Sequence, residues 1–123
     1  MNYRLIVIRS SLKDKSVLAK YKILSETKFE EGTPEESSMY KMEIPEDEVY
    51  NVSNFLKNNL KYPYYAHVYH EDPKNNTMIV IFSGQLFHTS KNYPKKAIAY
   101  GIHHGITEEQ MDIKPRNIAE ENW

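Results

Sequence analysis

The alternation of apolar and polar residues predicts several β-strands along the chain. Residues Tyr3–Arg9 are mostly β-branched or aromatic and contain no breaker, which is typical of a strand. Both faces of this strand are largely apolar, so we expect it to lie in the centre of a sheet. Shorter strands are predicted at Tyr40–Ile44 and at Gln85–Thr89.

The segment Ser11–Phe29 fits both a helical and a strand period. We expect a helical turn near Leu12–Leu18 and a strand near Lys20–Phe29. The acidic residues, glycine, proline and serines that follow at Glu30–Ser38 indicate a loop rather than a boundary between domains.

Two main helices are predicted. The first covers about Pro45–Leu60, because a proline in the first turn, three acidic residues after it and a one-sided apolar stripe all favour a helix. The second begins near Pro94 and ends before Gly105, which occupies the position of a left-handed helix terminator. Thr107 and Gln110 have the spacing of a capping box, so a further turn or short helix is expected there.

A β-hairpin is predicted from Tyr64–Glu71 and Thr77–Phe82, because the intervening Asp72–Asn76 has the residues of a turn. The simplest register places Val68 opposite Val80. One face of the hairpin then carries Ala66, Val68, Met78, Val80 and Phe82, and the other carries Tyr65, His67, Tyr69, Ile79 and Ile81.

Together these elements predict an α+β protein with a mostly antiparallel sheet and its two main helices on one face of that sheet. A ferredoxin-like arrangement is the commonest fold of this kind. We assign residues 1–113 to a single domain and residues 114–123 to a polar C-terminal tail, which is loosely attached unless Trp123 docks.

Composition and charge exclude several classes of protein. The chain has no cysteine, so disulfides and thiolate metal sites are excluded. No apolar run approaches the ~20 residues that span a bilayer, and no secretory signal is recognised, so we expect a cytoplasmic protein without membrane association. The formal net charge of −1 argues against a nucleic-acid partner. We interpret Lys91, Lys95 and Lys96 as a solvated helix start.

The histidines do not have the spacing of a metal site, and no metal or cofactor is predicted. His67 and His70 are three residues apart on a strand, which places them on opposite faces. His103 and His104 lie near a helix end, where the helix dipole favours a protonated imidazole and where one of them could bond terminal carbonyls. His88 belongs to a separate strand.

The tyrosine-rich face of the hairpin contains the candidate binding residues. A face that carries Tyr65, His67 and Tyr69 must be covered, and if both helices lie on the other side, a protein partner or a second copy must cover it. The leading hypothesis is therefore a binding module without chemistry of its own, and no catalytic residue is assigned.

Two alternatives remain open at this stage. The first is a small enzyme or ligand-binding protein with a pocket formed by Tyr65, His67, Tyr69 and His88, which requires at least two of these side chains to converge. The second is RNA binding by stacking on the aromatic sheet face, although the chain lacks the aromatic and basic pattern of RNA-recognition domains.

Overall fold

The computed structural model describes residues 1–34 and 36–123, which form one six-stranded antiparallel sheet with helices on both faces. The strands are β1 (Tyr3–Ile8), β2 (Lys22–Phe29), β3 (Ser37–Ile44), β4 (Tyr65–His70), β5 (Thr77–Phe82) and β6 (Gln85–Ser90). The α-helices are α1 (Val17–Lys20), α2 (Val49–Asn59) and α3 (Lys95–His103). The predicted α+β class is confirmed. Within this part of the chain, no helix has the length and apolar character needed to cross a membrane.

The strand order is β2-β3-β1-β4-β5-β6, so β1 lies inside the sheet between β3 and β4. Leu5 of β1 lies opposite Met42 of β3 on one side and opposite Val68 of β4 on the other. The predicted internal position of the first strand is thereby confirmed. The ferredoxin-like arrangement is not confirmed, because its strand order differs from the one observed.

One face of the sheet packs against α1 and α2. Val52 and Leu56 lie four residues apart on α2, so they project from the same side of the helix. Both are buried against a cluster that includes Leu5 and Val68. Burying an aliphatic side chain of this size contributes about 1.5–3 kcal/mol, so this stripe favours packing of α2 on the sheet.

The opposite face packs against α3 and the residues that follow it. Ala97 of α3 and the buried Ile106, Met111 and Ile113 contact Met78, Val80 and Phe82 of β5. The prediction that both main helices lie on one face is therefore wrong. The central strands are apolar on both faces, and leaving either face in water would forfeit the free energy of burial.

The register of the β4–β5 hairpin differs by one residue from the predicted one. Val68 lies opposite Ile79, and Ala66 lies opposite Ile81. Because side chains alternate along a strand, this shift turns β5 over relative to β4. The face toward α3 consequently carries Tyr65, His67, Tyr69, Met78, Val80 and Phe82.

The predicted end of the second main helix is confirmed. Gly105 has φ +91°, a left-handed conformation that favours glycine. The Ile106 N–H donates to the carbonyl of Gly101 at 3.0 Å, which completes a Schellman motif. Thr107 and Gln110 then bond each other's backbone N–H groups at 3.2 Å, as in a capping box, although a turn follows instead of a helix.

The ambiguous region is resolved as a helical turn followed by a strand. The turn is α1, which begins later than the predicted Leu12–Leu18 because Leu12 itself is extended, pairs with Leu60 and is fully buried. The strand is β2, close to its predicted position. The loop predicted at Glu30–Ser38 includes Glu35, which lies outside the described residues.

We expect Gly101→Ala to destabilise the protein, although alanine is the better helix former by about 1 kcal/mol. The three atoms nearest to an added Cβ all belong to the side chain of Met111, which is buried and must move. In a Met111→Ala background the same substitution should instead stabilise, because the obstruction is gone. Urea unfolding of the four chains measures this change of sign, and destabilisation in both backgrounds would contradict the packing explanation.

Candidate functional site

The candidate residues of β4 lie on one face, and this face is covered by the chain itself. Tyr65, His67 and Tyr69 alternate along β4 and all point toward the side of α3. The rings of His67 and Tyr69 stack with their centroids 6.0 Å apart. Residues 110–121 supply a hydrogen-bond partner for each of the three side chains. No partner protein is therefore needed to cover this face.

His67 is buried and bonded to the backbone. Its Nε2 lies 2.8 Å from the carbonyl oxygen of Pro115, so the neutral ring donates its Nε2 proton to this oxygen. Burial disfavours the charged form of His67 and lowers its pKa from the ordinary value of about 6.5 to about 4. The bond to Pro115 raises the pKa, but this effect is smaller. A neutral, buried imidazole with this partner joins β4 to the residues that follow α3 and so supports the structure.

The two tyrosines are also committed to structural bonds. The hydroxyl of Tyr65 donates to the carbonyl of Gln110 at 2.5 Å, and that of Tyr69 donates to Oε1 of Glu121 at 2.5 Å. Burial, with the nearby carboxylate of Asp112, raises the pKa of Tyr65 to about 12. Burial raises the pKa of Tyr69 as well, and the bond to Glu121 adds to this effect. Both hydroxyls therefore remain protonated at neutral pH.

His88 does not join the other three candidates. It lies on β6 opposite Ile79, whose side chain belongs to the apolar cluster on the α2 side of the sheet. Its side chain is exposed to solvent. The four candidate residues are thus divided between the two faces of the sheet, and they do not form a common pocket.

A cluster of charged residues occupies the same face as His67 and Tyr69. Arg4 of β1 lies directly opposite Tyr69 of β4, and Lys41 of β3 lies opposite Ile6 of β1, two residues along from Arg4. Glu121 accepts from Arg4 Nε at 3.1 Å and lies 3.4 Å from Lys41 Nζ. Sequence reasoning missed this cluster. Its local signal is Arg4, a charged residue within the otherwise apolar β1.

The tail predicted as loosely attached is held to the sheet by polar contacts. Besides the bonds of Pro115 and Glu121, the guanidinium of Arg116 donates to the carbonyls of Lys91 and Asn92 at 3.1 Å. Lys41 donates to the carbonyl of Trp123, and its ammonium lies 5.2 Å from the centre of the indole ring. Trp123 therefore docks on the sheet. The sequence predicts a loosely attached tail only if Trp123 does not dock, so the attached tail agrees with that condition.

Lys91 is buried, contrary to its interpretation as part of a solvated helix start. Its Nζ donates to the carbonyls of His70 and Asp72, at 2.6 and 3.1 Å. It is 5% exposed, so these bonds are needed to offset the loss of water around the charge. Lys91 therefore ties the end of β6 to the end of β4, whereas Lys95 and Lys96 are exposed as expected.

A small groove on the protein surface lies away from the candidate residues. This groove of about 120 Å³ lies between α1 and α2, on the far side of the sheet from His67, and is lined by residues such as Val17, Tyr21 and Phe55. Pockets for small organic ligands usually have about 300–1,000 Å³, so this groove is too small to bind one. Among the described residues, no group of three or more metal-binding side chains is found.

Comparison with known proteins does not assign a family to this chain. No protein-family model, curated protein or solved structure matches it.

We expect the free energy of unfolding to fall as the pH is lowered from about 6.5 to about 4, with His67 as a principal cause. The folded-state pKa of His67 lies below its unfolded value, so the unfolded chain binds the extra proton across this range. A shift from about 6.5 to about 4 corresponds to about 3 kcal/mol. Urea unfolding at pH 7 and pH 4 should show this loss in the wild-type chain.

His67→Gln keeps a donor for the Pro115 carbonyl but does not titrate, so it should lose less stability between these two pH values than the wild-type chain does. His88→Gln is the matched control, because the exposed His88 has no comparable burial. If His67→Gln retained the full pH dependence, the assignment to His67 would be wrong.

Proposed function

We propose that this protein is a self-associating interaction module, in which β2 pairs with β2 of a second copy. The observation that carries the proposal is the charge pattern of β2, whose exposed Glu26 and Lys28 complement each other across a two-fold axis. The resulting dimer would have a single continuous sheet through both subunits.

The outer edge of β2 is open. β2 has eight residues and pairs with β3 on one side only. A strand at the edge of a sheet carries backbone N–H and C=O groups that can pair with a further strand. Pairing of such edges between chains is a common way to build protein interfaces.

The side chains of β2 favour a self-complementary register. In an antiparallel pair centred on Thr27, Glu26 of each copy lies opposite Lys28 of the other copy. Glu26 and Lys28 lie on the same face of β2, because their partners on β3 are Tyr40 and Ser38, two residues apart. Among the described residues neither charge has an ion-pair partner, so both are available for a second chain.

The other edge of the sheet is a weaker candidate. β6 contains no acidic residue and no lysine or arginine, so it has no comparable charge pattern. It is also shorter, and α3 packs beside it.

The two alternative functions do not gain support from the geometry. The face that RNA would stack on is covered by residues 110–121, and His88 lies on the opposite face of the sheet from Tyr65, His67 and Tyr69.

We expect Glu26→Lys and Lys28→Glu each to weaken dimerisation by about tenfold, because each substitution replaces two attractive cross-strand pairs by two repulsive ones, at about 0.2–1 kcal/mol per pair. The double variant Glu26→Lys/Lys28→Glu should associate as the wild-type chain does. Sedimentation velocity over a range of concentrations measures all four chains.

A mixture of the two single variants provides the sharpest test, because the paired positions are both lysine in one variant and both glutamate in the other. The mixture should form a heterodimer although each variant alone associates weakly. Lys22→Glu, a charge reversal on the same strand outside the paired segment, should have little effect. A wild-type chain that stays monomeric at high concentration would refute the proposal.

A further inference from the structure

The side chains that hold Glu121 form a complete receptor for a carboxylate. We define the carboxylate site as Arg4, Lys41 and Tyr69, which lie on the adjacent strands β1, β3 and β4. Arg4 lies directly opposite Tyr69, and Lys41 lies opposite Ile6, two residues from Arg4 on β1. The three side chains therefore project from the same face of the sheet. The site is thus formed by the sheet alone, and Glu121 is its occupant.

The carboxylate site is largely buried, and its Lys41 depends on Glu121 for a carboxylate partner. Tyr69 is 0% exposed and Lys41 is 7% exposed. Arg4 has two other carboxylates nearby, Glu43 at 3.9 Å and Glu71 at 3.7 Å. Among the described residues, Lys41 has no carboxylate partner other than the occupant of the site. Removing the partner of a buried charge is strongly destabilising, so an emptied site would favour another carboxylate.

The segment that supplies Glu121 is attached mainly by polar contacts. Pro115 is buried, but none of residues 116–123 is buried or belongs to either apolar cluster, and Ile118, the aliphatic residue of the final turn, is 36% exposed. Segments with few buried apolar contacts open locally at a lower free energy than the rest of a protein. The site and its occupant are therefore separable parts of the structure.

We propose that the carboxylate site binds an acidic peptide of a partner protein and that residues 114–123 occupy it as a displaceable internal ligand. The internal ligand indicates the chemistry of the partner: a glutamate for Arg4 and Tyr69, followed two residues later by an aromatic ring over Lys41. Charge-assisted bonds give the carboxylate its place, and the ring adds a cation–π contact. This proposal does not depend on pairing through β2.

The test is a titration of the full-length chain with a labelled peptide of sequence KPRNIAEENW, followed by fluorescence anisotropy. In the wild-type chain the internal segment competes at a high effective concentration, so binding should be weak. The variant Glu121→Gln/Trp123→Ala weakens that competition and should bind the peptide about tenfold more tightly or better. A peptide with glutamine in place of the glutamate that corresponds to Glu121 should lose this gain.

Lys41→Met in the double-variant background is the matched control on the receptor, since it removes the ammonium and retains a buried aliphatic chain. It should abolish the gain while circular dichroism shows a folded chain. Equal or absent peptide binding by the wild-type chain and the folded double variant would overturn the proposal, because Glu121 would then be only an intramolecular brace.

Hydrogen exchange of the wild-type chain gives a second measurement that needs no variant. The amides of residues 117–123 should exchange faster than those of β1 and β4. If they exchange only with global unfolding, the segment is not displaceable and the proposal fails. The wild-type chain could instead form a dimer that Glu121→Gln abolishes and that the charge substitutions of β2 do not affect. In that case the site would bind a second copy of this chain, and the proposal of a different partner would be overturned.

Discussion

The apolar character of both faces of the central strands is the constraint on which the rest of the structure depends. β5 shows it most clearly, because Ile79 and Ile81 point to one side of the sheet while Met78, Val80 and Phe82 point to the other. Both sides must be shielded from water. α2 covers the first side, and α3 with the residues after it covers the second.

The cover on the second side determines what this surface can do. Residues 110–121 lie over Tyr65, His67 and Tyr69 and accept a hydrogen bond from each of them. In the sequence these three side chains resemble a reactive cluster, whereas in the structure their hydrogen bonds stabilise the fold. Buried polar groups of this kind are costly without partners, and each one here has a partner. The association that we propose therefore involves the outer edge of β2 and the site that Glu121 occupies.

The elements predicted correctly are those that local interactions decide. The apolar stripe of α2 and the left-handed Gly105 are readable from a few neighbouring residues. The register of β4 and β5 is not readable in this way, because β5 is apolar on both faces and either register buries apolar side chains. The choice of register depends on contacts with α2 and α3, which a short segment of sequence does not contain.

The candidate site was predictable only in part, for the same reason. Alternation along β4 correctly places Tyr65, His67 and Tyr69 on one face, whereas the residues that cover them lie more than 40 positions later in the chain. Arg4 is conspicuous as a charged residue within an apolar strand, but it is separated from Glu121 by 117 positions. A pairing over such a distance leaves no periodic signal.

The position of β1 also divides the sheet into two parts that could assemble separately. β2 and β3 form one hairpin, and β4, β5 and β6 form a meander of strands adjacent in sequence. Closing these short loops costs little entropy, whereas β1 must find β3 and β4 across much longer stretches of chain. β1 is therefore the strand that joins two locally formed halves, and the cooperativity of folding should be set by how tightly it binds both of them.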